Sequence, residues 1–179
     1  MLMLIRKSLK QGNSKLQGDV EVDETYLGGK QWAGRNNEKL GEAMKKKSVI
    51  VGAVKRGGAI KVQVSPNTKA RTIVGFLKAN VEPAETRLLT DDSNRYDNVA
   101  MGFHRFSVNH SKKEWVWGDV HTNTIESFWG HIKRSVRGVH KVVSKKYLQS
   151  YLDGFVFQHD NRHNDRARFG ALLGVLLPA

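Results

Sequence analysis

Apolar and polar residues alternate through GDVEVDETYLGG, residues 18–29, and the run closes on a glycine pair, which predicts a strand. SVIVGAV, 48–54, is almost wholly apolar and predicts a buried-type strand. Arg56-Gly57-Gly58 predicts a turn into a third strand, AIKVQVS at 59–65, so the first three strands form an antiparallel meander. Pro66-Asn67-Thr68 reads as a helix start, with a helix near 69–80. TRLLT, 86–90, predicts a short strand running into Asp91-Asp92-Ser93-Asn94, and a weaker strand follows near 105–109. Helices are expected at about 121–137 and 144–160. This order is α/β: a mixed sheet with an antiparallel start and one helical crossover, flanked by helices. Residues 1–17 are expected to be a loose lead-in, 30–47 an irregular basic loop, and 166–179 a C-terminal tail.

Three carboxylates stand out against this pattern. Asp23 lies inside the first strand, where an acid is disfavoured by propensity and costly to desolvate without a partner or a cation. Asp91 follows the apolar Leu-Leu pair of the fourth strand, and Glu126 lies in the first turns of the late helix. Strand ends beside a crevice are where α/β sheets build sites, so the three are expected to converge there, with Asp23 central. Hard divalent cations take carboxylate oxygens and bridge to phosphates, and a pair of them suits phosphodiester chemistry. Each acid also has a plainer reading: an exposed edge-strand charge for Asp23, a turn aspartate for Asp91 or Asp92, a macrodipole-favoured carboxylate for Glu126.

The late helix HTNTIESFWGHIKRS, 121–135, carries two stripes. Ile125, Phe128, Trp129, Ile132 and Val136 share one arc and are expected to pack on the sheet. At about 100° per residue, Lys133 lies about 20° and Asn123 about 60° from Glu126, so Asn123, Glu126, Lys133 and Arg137 line a neighbouring edge. A carboxylate for metal and cations for phosphates would share that ridge; an ordinary amphipathic surface helix is the plainer alternative.

Composition sharpens the picture. The 179 residues suit one domain, and 39% of them are hydrophobic, enough for a packed core. Thirty Lys+Arg against seventeen Asp+Glu give a net charge of +13, which favours a polyanionic partner such as nucleic acid. The absence of cysteine excludes disulfide scaffolds, thiolate zinc sites and thiol catalysis. MLMLI is far too short to span a membrane, and the chain reads as intracellular.

The strings VDETYLGGK, TDDSNRY, HTNTIESFWGHIKR and KKYLQSYLDGFVF together resemble the catalytic domain of bacterial insertion-sequence DDE transposases, most closely the ISXO-type subgroup. The resemblance spans roughly residues 18–162 and implies an RNase H-like catalytic domain over 18–165 holding two Mg²⁺ or Mn²⁺ ions. It maps the metal-binding acids onto Asp23, Asp91 and Glu126. Asn123 matches an asparagine of the subgroup and rivals Glu126 for the third role. Lys133 falls where the family holds substrate DNA, and Arg134 and Arg137 extend that contact. The implied reaction is hydrolysis and strand transfer at insertion-sequence ends, on transposon-end and target DNA, by a homo-oligomer in the bacterial cytoplasm and nucleoid.

Two departures qualify this. No cysteine precedes Asp23, whereas a zinc ribbon normally precedes the family's catalytic domain, and Gly154 and Gln158 stand where the family pattern has Glu and Arg. A truncated copy is therefore one expectation. An RNase H-like nuclease without strand transfer and a catalytically idle DNA-binding remnant are the alternatives.

Overall fold

A computed structural model describes residues 2–28, 47–93, 96, 102–108 and 121–177. The elements are α1 (Leu2–Ser8), β1 (Leu16–Leu27), β2 (Ser48–Lys55), β3 (Ile60–Ser65), α2 (Ala70–Asn80), β4 (Val81–Asp91), β5 (His104–Val108), α3 (Asn123–Ser135), a π-helical turn (Val136–His140), a 3-10 turn (Lys145–Tyr147), α4 (Leu148–Asp160) and α5 (Asp165–Leu176). The strands form one sheet in the order β3-β2-β1-β4-β5. β1–β2 and β2–β3 are antiparallel, while β1–β4 and β4–β5 are parallel. The expected meander, crossover and mixed sheet are all present.

Both faces of the sheet are covered. On one, Val20, Val22, Val51, Ala53 and Leu88 pack with Ile73, Phe76 and Leu77 of α2. On the other, Ile50, Val54, Ile60 and Val62 pack with Ile125, Phe128, Trp129 and Ile132 of α3 and Leu152, Phe155 and Val156 of α4. This explains why β2 is apolar at nearly every position: it is buried on both sides. It also changes the meaning of the alternation in β1. Glu21, Asp23 and Thr25 face α3, so they form a polar stripe under a helix and not a solvated face.

Two expectations need correction. Residues 2–8 form α1, not a loose lead-in, and the segment after it is tied down: Leu9 is buried, and Gln11 bonds both the N–H (2.9 Å) and the carbonyl (2.6 Å) of Val62. Gln11 thus takes the place of a strand partner on the β3 edge. Gln149 receives the Val64 N–H at 2.8 Å and Asp160 the Ile60 N–H at 3.1 Å, so side chains satisfy the edge's outward amides. Most of the expected tail is α5, capped by Asn164, whose side chain accepts from the N–H groups of Arg166 and Ala167. The expected basic loop at 30–47 lies outside the described residues, apart from Lys47.

Candidate active site

The site begins with Glu21, which is fully buried in β1. Its Oε2 accepts the backbone N–H groups of Thr124 (2.8 Å) and Ile125 (3.0 Å), and its Oε1 accepts the Thr124 hydroxyl (2.9 Å) and Arg56 Nε (2.8 Å). His121 Nδ1 stands 3.3 Å from the same oxygen, and Arg56 also donates to the His121 carbonyl at 2.9 Å. A helix begins with N–H groups that lack intrahelical partners, and its own N-cap side chain usually fills them. The N-cap residue Thr122 makes no such bond. Glu21 supplies it from the sheet, with a charge that the helix dipole and Arg56 both favour. α3 is thereby fixed to β1 beside Asp23.

Asp23 is held from above. Trp129 Nε1 donates to its Oδ2 at 3.0 Å. The indole reaches that position because Asp23 pairs with Gly52 across β1–β2, and a Cβ on Gly52 would lie 2.6 Å from the ring. Burial pushes the Asp23 carboxyl up from 3.8 to about 7, and the charges of Glu24 and Asp91 push the same way. Asp91 ends β4; the parallel β1–β4 register, with Glu21 opposite Leu89, places it beside Asp23 two residues further along. Of the adjacent aspartates, Asp91 is the one whose charge acts on Asp23.

Tyr96 and Arg105 brace these strand ends from the opposite face of the sheet. Tyr96 is fully buried, and its hydroxyl donates to the Glu24 carboxylate. Burial first, then the charges of Glu24, Asp23 and Asp91, hold its phenol well above the usual range. Arg105 bonds the Thr90 hydroxyl at 2.9 Å and the Asp91 carbonyl at 3.1 Å, fixing the strand end that carries Asp91.

Glu126 behaves differently from the two aspartates. It is exposed, its Oε1 accepts the Thr122 hydroxyl at 2.8 Å, and it is not among the charges acting on Asp23. Asn123 is exposed at the first residue of α3. On the helical wheel Glu126 lies about 60° from Trp129 and Asn123 about 120° from it. Lys133 is half-buried, and Arg134 and Arg137 are exposed. Among the described residues, no three His, Cys, Asp or Glu side chains stand close enough to hold a metal ion. The donor chemistry nonetheless fits a hard divalent cation: Asp23 and Asp91 are adjacent carboxylates, one of them desolvated, with mutual repulsion that a cation would cancel.

The expected apolar stripe is in place, with Ile125, Phe128, Trp129, Ile132 and Val136 buried. What the sequence reading missed is the anchoring set: Glu21, Arg56, His121, Thr124 and Gly52. A second acid two residues before Asp23, on the same strand face, was the available signal.

Comparisons with known proteins agree with this architecture. No curated protein matches the chain. The catalytic core domain of BIV integrase superposes with a TM-score of 0.50 at 11% identity, covering 87% of this chain and 93% of that one. The magnesium-bound catalytic core of HTLV-2 integrase, in a dimeric form, gives a TM-score of 0.45 at 12% identity, covering 86% and 92%. The likeness to the BIV core concerns the fold, which is the RNase H-like fold of integrase catalytic cores. The model of the ISXO2-like transposase domain matches residues 15–160, most of the chain including every residue of the site, and the protein therefore belongs to the ISXO2-like transposase family.

Proposed function

We propose that this chain is a metal-dependent DNA transposase catalytic domain, acting on phosphodiesters at insertion-sequence ends by hydrolysis and then strand transfer. The observation that carries this reading is the pairing of Asp23 with Asp91: two neighbouring carboxylates, the first desolvated enough to sit near pH 7. They would hold two Mg²⁺ or Mn²⁺ ions together with an oxygen from Glu126 or from its rival Asn123. Bound there, the ions supply an activated attacking oxygen and neutralise charge on the leaving one.

The chain's own residues do the rest. Trp129 shields Asp23 and fixes the orientation of its carboxylate. Glu21 sets the position of α3, and with it Asn123 and Glu126, against β1. Lys133, Arg134 and Arg137 follow Glu126 along the helix and its continuation, where they would hold the phosphates of transposon-end and target DNA. The net charge of +13 supports a nucleic-acid partner, and joining transposon ends to a target calls for a homo-oligomer.

Paired titrations test the reading. Mg²⁺ should raise the melting temperature of the wild type, because it binds the folded site and not the unfolded chain. Asp23→Ala should abolish that rise and leave DNA binding intact. Lys133→Ala should keep the rise and weaken DNA binding, with a salt dependence smaller by about one phosphate contact. An unchanged metal response in Asp23→Ala would leave the idle DNA-binding remnant as the better reading.

A further inference from the structure

Between Glu126 and Asp153 the chain contains Lys133, Arg134, Arg137, Lys141, Lys145 and Lys146, and no Asp or Glu. Within this acid-free stretch, Val139 and Val142 are 76% and 82% exposed. A single exposed valine is ordinary. This pair differs because the backbone around it is held. Val136 is buried and Val143 packs on the core, so the valines before and after the pair point inward. His140 stacks edge-on against Tyr151, with ring centroids 4.9 Å apart. α3 runs straight into the π-helical turn 136–140, and Lys141 then takes a positive φ of 59°. The turn therefore presents two β-branched apolar side chains outward from a fixed base, with cations on either side.

We propose that Val139 and Val142 form an apolar wedge that enters a DNA duplex lying along α3. This rests on the transposase reading above and adds to it a second contact, remote from the carboxylates. Phosphate is the partner that fits the surrounding charge, and small apolar wedges between base steps are a known way to unstack and kink a duplex. The rise of a helix places Val139 roughly 20 Å from Glu126. At about 3.4 Å per base pair, the wedge meets the duplex about half a helical turn from the carboxylates. An anionic membrane is a poorer fit, because interfacial binding needs a continuous apolar face and this tip offers two side chains.

The test uses the full chain and a set of duplexes carrying 2-aminopurine at successive positions, with fluorescence and binding read without metal and nicking read separately with Mg²⁺. Wild type should brighten the probe several-fold at one or two adjacent steps, the mark of unstacking. Val139→Ser/Val142→Ser should lose that signal, keep the salt dependence of binding, and lower affinity several-fold. Equal brightening by the double variant overturns the wedge. So does a wild type that binds and nicks DNA without brightening any position, which leaves the transposase reading standing. Binding to phosphatidylglycerol vesicles that the double variant loses, with DNA binding unchanged, also overturns it in favour of a membrane contact. A wild type that neither binds nor nicks DNA removes the transposase reading and the wedge together.

Discussion

Trp129 and Asp23 are joined by an indole N–H bond of 3.0 Å to a carboxylate that burial has pushed up to about 7. One side chain thus seals the core and orients the acid. Trp129→Ala should lower stability by about 3–5 kcal/mol, as for other buried large aromatics, measured by urea denaturation. Trp129→Phe removes the donor and keeps most of the ring. It should lose only about 1–2 kcal/mol, yet shift the Mg²⁺ midpoint measurably. A Trp129→Phe variant as stable as wild type, with an unchanged Mg²⁺ midpoint, would mean that the bond to Asp23 contributes little.

Glu21 is expected to matter as much for stability as Asp23 does for chemistry. Glu21→Ala takes the buried carboxylate partner from Arg56 and leaves two helix N–H groups unfilled, so a loss of about 3–5 kcal/mol is expected. Thr124→Val removes one hydroxyl contact and should lose about 1–2 kcal/mol. Glu21→Ala/Thr124→Val should lose less than the sum, since both variants break the same bond. Strict additivity in that cycle would show that Glu21 and Thr124 do not act together.

The pH dependence of the metal-free protein follows from Asp23. Its folded pKa, about 7, lies above the unfolded value of 3.8. Between those values the folded state holds a proton that the unfolded chain has released, so stability should fall as pH rises through this window and level off above it. The change is on the order of a few kcal/mol. Asp23→Asn should flatten the slope between pH 4 and 7, as read from chemical denaturation at a series of pH values.

How much of this was legible in the chain depended on whether the signal was local. The alternation in β1, the apolar run in β2 and the stripe on α3 are local patterns, and the structure follows them. Asp23 stood out locally as an acid inside a strand, whereas Asp91 reads locally like a turn aspartate and was singled out by the family resemblance. Glu21 was not, because Val-Glu-Val-Asp looks like a strand with one solvated face until α3 covers it. The bonds that explain Glu21 reach more than a hundred residues along the chain. α5 was missed because none of its residues is buried and it shows no amphipathic stripe, although Asn164-Asp165 is a start signal that could have found it. α1 is a single short helix held by packing on α4 and α5, beyond the reach of periodicity.

The same tertiary logic makes the first residues testable. Gln11 closes the β3 edge at Val62 and bonds Asp153 at 2.8 Å. Gln11→Ala should lower stability by about 1–3 kcal/mol and speed hydrogen exchange at the Val62 amide. Exchange at that amide unchanged from wild type would return residues 1–17 to the loose lead-in of the sequence reading.

The most direct measurement is metal-dependent cleavage of an end-labelled duplex containing an insertion-sequence end, by wild type and by Asp23→Asn, Asp91→Asn, Glu126→Gln and Asn123→Ala. Wild type should nick in the presence of Mg²⁺ or Mn²⁺, and neither aspartate variant should nick above background. One of Glu126→Gln and Asn123→Ala should lose activity at least a hundredfold, which identifies the third ligand. Nicking that persists in Asp23→Asn, or that proceeds equally well in chelator, would contradict a metal site built on Asp23 and Asp91.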